Sequence, residues 1–319
     1  MDLPTPEGPD PGERVLAGTR WLLSAFAVFT LLAVVSLLGF PGRAREDFAW
    51  SIGSELTAAF LGAGFAAGLV LSLLSLRQER WSSIRTPVLT VTVYATLVLT
   101  ASLIHTHRLH LTDGGALARF AAWLWLAVYL VVPVVGIVVV LRQDDRRTWL
   151  SEGRRPMPAV LVAVLAVQGA VMLAAGAVLV LSGLTVHHMV MSVAGFWPWE
   201  ITPLSAMVIG AWLIAFGVAA ALAIGQRDMD DLLVSAVTYT VFGALELVVL
   251  VRYRSELDAA DPWVWAYVAV LVSVVGAGGY GWWAALHVPV DVSVGRYAGA
   301  DGPAEPLRPP ALPHRPGAG

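Results

Sequence analysis

The sequence predicts an all-α, polytopic membrane protein with about eight transmembrane helices arranged as two parallel four-helix repeats. Hydrophobic residues make up 57% of the chain and charged residues 13%, whereas about 25% of a soluble domain is charged. The mean hydropathy is +0.72. Long apolar runs recur along the chain, and one of their sequence patterns occurs twice. Together these features indicate a protein whose solvent is the bilayer.

Eight apolar runs are each long enough to cross the roughly 30 Å hydrocarbon layer as a helix of about 20 residues. Because backbone groups in lipid must be paired within the segment, these runs are expected to be helical. The predicted spans are 20–40, 54–75, 86–105, 118–141, 159–183, 203–224, 231–251 and 263–286.

The arginines predict the orientation, and lysine is absent from the sequence. With the N-terminus inside, fourteen arginines fall on inner segments and six on outer segments. The positive-inside rule therefore favours a cell (inner) membrane location with both termini cytoplasmic. The expected organisation is a disordered N-terminus 1–19, a first repeat 20–143, a cytoplasmic linker 144–158, a second repeat 159–287 and a disordered Pro/Gly-rich tail 288–319.

Composition also excludes several classes of function. The chain has no cysteine, which excludes disulfides, thiolate metal sites and cysteine catalysis. With a net charge of −3, nucleic acid is not an expected partner. The usual hydrolase, phosphate-loop and dinucleotide motifs are missing from the sequence, so we expect no cofactor and favour a non-enzyme. The bilayer is the expected partner, and a homo-oligomer or a membrane protein partner remains open.

The repeat rests on the pattern L-[ST]-A-x-x-[LI]-G-A, which occurs at 56–63 and again at 204–211. Each repeat holds four spans, and an even number places both copies the same way up in the membrane. Such repeats meet along a seam, where we expect a solute path by analogy with other folds. Further matches in the same order are Gln78 with Gln226, Tyr94 with Tyr239, and 123–125 with 263–265.

Two longer outer segments, 41–53 and 184–202, follow the first span of each repeat and carry aromatic residues. Aromatic rings prefer the headgroup level of a membrane, so both segments are expected to act as interfacial anchors. The alternative is that they form a lid over a cavity at the seam.

Polar groups at membrane depth are costly, which makes them candidates for function. Glu246 and Tyr239 share one face of span seven, and Tyr94 and His105 share the corresponding face of span three. If these faces meet, Glu246 approaches His105 in the outer leaflet, and the four residues form a path for a substrate, a proton or a cation. Gln168 of span five is a further candidate for this path. The alternative is that Glu246 is a neutral or paired packing residue and that Gln168 makes an interhelical hydrogen bond.

Five of the seven histidines lie on the predicted outer side of the membrane. Imidazole binds zinc, copper and nickel, so the cluster is a candidate metal site. Their spacing lacks the carboxylate or cysteine partners of a closed site, and the metal reading is the less favoured one. The candidate ligands are His105, His107, His110, His187 and His188.

The run 196–206, FWPWEITPLSA, is followed by a Gly-Ala-Trp motif at 210–212. This stretch resembles a motif of eight-span membrane proteins of actinobacteria and related bacteria, and 123–129, Pro133 and Gln143 resemble their fourth span. The resemblance covers most of spans two to eight. It implies an integral membrane location and supplies no catalytic residues.

Three functional hypotheses follow. The leading one is a small-solute or ion transporter, or a permease-like module, with its path at the repeat interface. The second is a membrane scaffold or accessory subunit that transports nothing itself. The third is a membrane enzyme or a metal or redox protein that uses the outer histidines.

Overall fold

The computed structural model describes residues 14–143, 155–184 and 196–287. Within these ranges the chain forms helices and no strand, and eight of the helices are long and apolar enough to cross a membrane. The chain is therefore a multi-pass helical membrane protein. The helices are α1 Ala17–Val34, α2 Ala44–Asp47, α3 Glu55–Leu76, α4 Trp81–Ile104, α5 Ala116–Gln143, α6 Ala159–Leu184, α7 Pro203–Gln226, α8 Leu233–Arg252 and α9 Pro262–His287.

Each predicted span coincides with one long helix, and the first continues from α1 through a π-helical turn, Val35–Gly39. The short helix α2 does not cross and belongs to the connection between α1 and α3. The predicted tail 288–319 lies outside the described residues, as do most of the predicted N-terminal segment and most of the linker.

The bundle has two ends, which we name by the connections they carry. The loop face comprises residues 40–54, 105–115, 196–202 and 253–261, and the termini face comprises residues 14–16, 77–80, 155–158 and 227–232. On the termini face, Val15 N donates to Glu79 O over 3.0 Å, and Met157 N donates to Arg227 O over 3.2 Å. The two halves of the chain therefore begin with the same type of backbone contact.

The eight long helices form one compact body because the two halves interleave. Within each half the first helix packs on the second and the third on the fourth: α1 on α3, α4 on α5, α6 on α7 and α8 on α9. The inner helices then cross over, so that α3 packs on α8 and α4 on α7. The structure therefore has interlocked halves, and not two separate bundles that meet at a flat boundary.

Corresponding helices begin and end alike. Ser54 caps α3 by accepting from Thr57 N over 3.1 Å, and Thr202 caps α7 by accepting from Ser205 N over 3.3 Å. Such caps satisfy backbone donors that have no partner in the first turn. Helices α4 and α8 both end in a short 3₁₀ turn, Thr106–Arg108 in one and Arg254–Glu256 in the other.

The ends of α4 and α8 give a second way to align these two helices. His105 and Tyr253 occupy the same position, directly after the last helical residue and with the same backbone conformation. Counting back from these ends, Glu246 corresponds to Val98, and Tyr94 corresponds to Phe242 instead of Tyr239. Matching the helix ends therefore pairs residues three positions away from the pairing that the sequence pattern predicts.

Helices α6 and α7 approach closely through glycines. A Cβ atom on Gly176 would lie 2.7 Å from the carbonyl oxygen of Gly210, and a Cβ on Gly210 would lie equally close to the carbonyl oxygen of Gly176. Small residues at such contacts let membrane helices pack backbone against backbone. By contrast, the glycines of the G-x-x-x-G motif at Gly64 and Gly68 accommodate the ring of Trp212.

Candidate functional site

The seam between the halves is polar where it meets the termini face. Ser83 Oγ of α4 donates to Asp231 Oδ1 over 3.1 Å, and Thr86 Oγ1 donates to Gln226 Oε1 of α7 over 2.9 Å. Burial and the neighbouring carboxylate of Asp228 raise the pKa of Asp231 above its ordinary value of 3.8. Polar side chains from both halves therefore line this end of the seam.

Two small, mostly apolar cavities extend from this end toward the middle of the bundle, with volumes of about 60 Å³ and 20 Å³. The larger cavity reaches Tyr239, and the smaller one reaches Tyr94 and Trp212. Residues that line both cavities are Leu71, Thr90, Phe216 and Thr238.

Trp212 closes the seam in the middle of the bundle. Its ring stacks on Tyr94 with centroids 4.1 Å apart, and a Cβ atom on Gly64 would lie 3.0 Å from it. The absence of a side chain at Gly64 therefore makes the space that the Trp212 ring fills. Tyr94 was a predicted path residue, and it lies against this ring with its hydroxyl 3.4 Å from that of Tyr129.

The aromatic segments of the loop face fold into the bundle and close it from that side. Trp50 and Trp199 are buried within the protein. The depth of their segments in the membrane stays a prediction. Each crosses to the other half: Trp50 Nε1 donates to Ser205 Oγ of α7 over 3.4 Å, and Trp199 Nε1 donates to Thr57 Oγ1 of α3 over 3.0 Å. A buried indole N–H needs an acceptor, and the opposite half supplies it.

A cluster of five aromatic rings lies beneath the loop face, with one ring from the first half and four from the second. Phe60 of α3 is its centre, with ring centroids between 5.7 and 6.5 Å from the other four. We call this set the aromatic cluster, and sequence reasoning did not find it because its members come from four separate segments. Its members are Phe60, Trp197, Trp199, Phe242 and Tyr267.

Glu246 lies on α8 one turn beyond Phe242 and is fully buried. Neither of its carboxylate oxygens has a hydrogen-bond partner among the described residues. Helix α8 packs on α9 where Gly243 meets Leu271, so one helical turn further along α8 the carboxyl group of Glu246 lies level with Tyr267. The hydroxyl of Tyr267 is likewise buried without a hydrogen-bond partner in the described part of the chain. Within the described ranges, Glu246 is the acidic residue whose side chain is completely buried.

The structure brings two of the predicted path residues together and separates two others. Tyr239 donates to Gln168 Oε1 over 3.3 Å, and Gln168 Nε2 donates to Ser273 Oγ of α9 over 2.8 Å. The predicted approach of Glu246 to His105 is not found. The Nε2 of His105 bonds instead to the carbonyl oxygen of Gly183 at the end of α6, at 3.0 Å.

The histidines of the loop face are dispersed. His105 is buried, and this burial lowers its pKa below the ordinary 6.5. His107 is exposed, and His110 lies against Ser51 and Asp113. Within the described ranges no three histidine or acidic residues are grouped to hold a metal ion. The predicted ligands His187 and His188 lie outside the described residues, so their part of that prediction stays a prediction.

No protein-family model, curated protein or solved structure matches the chain.

Proposed function

We propose that the protein is a transporter-like membrane module in which Glu246 takes up and releases a cation while a solute moves along the seam. One observation carries this proposal: a fully buried carboxyl group with no hydrogen-bond partner among the described residues. An isolated carboxylate in low-dielectric surroundings costs many kcal/mol, so the group must hold a proton or a counter-cation. A carboxyl group that exchanges one for the other can couple two movements.

The seam supports the path. Its cavities begin near the polar termini face and end at Trp212, and the loop face is closed by the indoles of Trp50 and Trp199. Tyr239 lines the larger cavity and lies two helical turns from Glu246 on the same side of α8. We interpret this arrangement as a state closed at the loop face. Opening would require the Trp212 ring and the indoles to move together.

We also propose that the two halves arose by duplication, as the recurring sequence pattern suggests. The matched helix ends, the two capping residues and the reciprocal indole bonds support this proposal. From the arginine distribution we propose that the loop face is outside the cell membrane and that both termini are cytoplasmic. Glu246 then lies in the outer half of the membrane, above the Trp212 ring.

The first experiment asks whether Glu246 exchanges its proton. Infrared spectra of the full chain in lipid vesicles should contain the carbonyl stretch of a protonated carboxyl group in apolar surroundings. We expect Glu246→Gln to remove this band, while the exposed Glu200→Gln leaves it unchanged. The wild-type band should shift in heavy water and disappear as the pH rises. A band that resists deuterium exchange would identify a sealed packing residue and overturn the proposal.

The second experiment measures transport. Vesicles that contain the protein are given a pH gradient, and a panel of cations and small neutral solutes is added outside. We expect at least one solute to drive proton movement in wild-type and Glu200→Gln vesicles but not in Glu246→Gln vesicles. Equal proton movement in all three preparations, across the whole panel, would contradict the proposal.

A further inference from the structure

The two halves differ in the polar groups that lie at corresponding positions of α4 and α8. In the first half, Trp125 Nε1 donates to Ser102 Oγ over 2.9 Å. In the second half, the position of Ser102 is held by Leu250, and the acid Glu246 stands where the first half has Val98. The aromatic cluster therefore has an acid that the first-half rings lack.

Three polar groups of this region have no hydrogen-bond partner in the described ranges: the Glu246 carboxylate, the Tyr267 hydroxyl and Trp197 Nε1. Each is buried. Leaving a buried polar group without a partner is costly, so such groups are rare in a structure unless something uses them. The cluster is therefore better suited to receive a ligand than to serve as packing alone.

The ligand chemistry is limited by what surrounds Glu246. Calcium and magnesium need about six oxygen ligands, and zinc needs four nitrogen, sulfur or oxygen ligands. Glu246 and the Tyr267 hydroxyl supply far fewer, and the described part of the chain contains no cluster of metal-ligating side chains. Aromatic faces, by contrast, attract alkylammonium groups and require no oxygen ligands. The surroundings therefore favour an organic cation over a metal ion.

A cavity of about 220 Å³ adjoins the aromatic cluster between α6 and α9. Trp197 and Tyr267 line it and also belong to the cluster. Tyr267 is thus both a wall of the cavity and the neighbour of Glu246 across α8 and α9. Its other walls include the apolar side chains of Met172, Leu213 and Val270. The volume is below the roughly 300 Å³ at which pockets for drug-sized ligands begin, so a small ligand fits.

We propose that this site binds a small alkylammonium cation, with Glu246 as its counter-charge and with Trp197 and Tyr267 as the aromatic wall. Binding releases the proton of Glu246 to water, so cation and proton compete for one carboxylate. This inference rests on the proposed function, since it names the cation that Glu246 would exchange for its proton.

Calorimetry on the purified full chain in detergent tests the proposal, with tetraethylammonium chloride as the probe and sodium chloride as the salt control. Titrations in two buffers of different ionisation enthalpy give the number of protons released. We expect one proton per bound tetraethylammonium and no saturable heat with sodium. Affinity should rise with pH, because the carboxylate is then freed of its proton.

Variants identify the site. Glu246→Gln should weaken tetraethylammonium binding by about a hundredfold or more, as expected when one partner of a buried charge pair is removed. Trp197→Leu should weaken it by about tenfold, the effect of one desolvated cation–π contact. Tyr267→Phe keeps the ring face and should bind within about threefold of wild type. The matched control is Phe48→Leu, which removes a buried ring from the first half and should leave affinity unchanged.

If Trp197→Leu does not give a monodisperse protein, Trp197→Phe replaces it, and near-wild-type affinity is then expected. The proposal is overturned if wild type gives no saturable heat with tetraethylammonium, or if binding survives Glu246→Gln. It is also overturned if Phe48→Leu weakens binding as much as Trp197→Leu does. A protein whose Glu246 infrared band exchanges but which does not bind the probe would retain the proposed function and lose this inference.

Discussion

The glycine contact between α6 and α7 allows a stability prediction whose size follows from the geometry. In Gly176→Ala, the new Cβ would lie 2.7 Å from the carbonyl oxygen of Gly210 and 2.9 Å from the backbone nitrogen of Ile214. Both are backbone atoms, so neither can rotate away, and the helices must separate. Overpacking of this kind costs about 1–3 kcal/mol.

Gly276→Ala is the matched control, because a Cβ at Gly276 meets no atom within 4 Å. Both glycines lie within long helices, so both variants gain the same helix propensity, about 1 kcal/mol. This gain cancels in the comparison. We therefore expect Gly176→Ala to be less stable than Gly276→Ala by about 1–3 kcal/mol.

The assay is reversible unfolding of the purified protein in mixed micelles of increasing denaturing detergent, followed by circular dichroism. The free energies of unfolding of both variants and of wild type are compared under the same conditions. Equal stabilities, within about 0.5 kcal/mol, would mean that α6 and α7 do not approach as closely as the structure describes.

Two further predictions concern the loop face. Thr57→Val should destabilise the protein by about 1–3 kcal/mol because it leaves the buried Trp199 N–H without its acceptor. In the same unfolding assay, a double variant that carries Trp199→Phe and Thr57→Val should recover part of that loss. If the stability losses of the two single variants simply add in the double variant, the hydrogen bond is refuted. Because burial lowers the pKa of His105 below 6.5, the unfolded chain binds its proton more readily than the folded chain does. The stability that neutral His105 contributes is therefore present above pH 6.5 and is lost as the pH falls toward the folded pKa. Stability measured against pH should show this loss in wild type and in the exposed-site variant His107→Gln, and it should be reduced in His105→Gln; an unchanged pH profile in His105→Gln would exclude His105 as the cause.

Much of the fold could be predicted because hydropathy is a local property. A run of about twenty apolar residues must be a helix in lipid, whatever surrounds it. The prominence of Glu246 is equally local, since an acid inside such a run is costly in any arrangement. The sequence pattern that occurs at 56–63 and again at 204–211 was enough to pair α3 with α7 as corresponding helices.

The pairing of residues across helices could not be predicted in the same way. Tyr94 and Tyr239 look like counterparts in sequence, yet the helix ends match Tyr94 with Phe242. Apolar helices contain few distinctive residues, so shifting the alignment of two such helices by one turn preserves much of their sequence similarity. Which residues face each other is decided by packing, and here packing places Glu246 level with Tyr267 and His105 against Gly183.

The sequence by itself determined the solvent of this protein, its eight crossings, its internal recurrence and the acid that stands out within a span. Only the tertiary structure decided that the halves interlock, that Trp212 fills the seam at Gly64, and that aromatic segments expected at the headgroups turn inward. The physical reason is that lipid affinity is a property of each segment, whereas a site depends on side chains from distant segments that share one space.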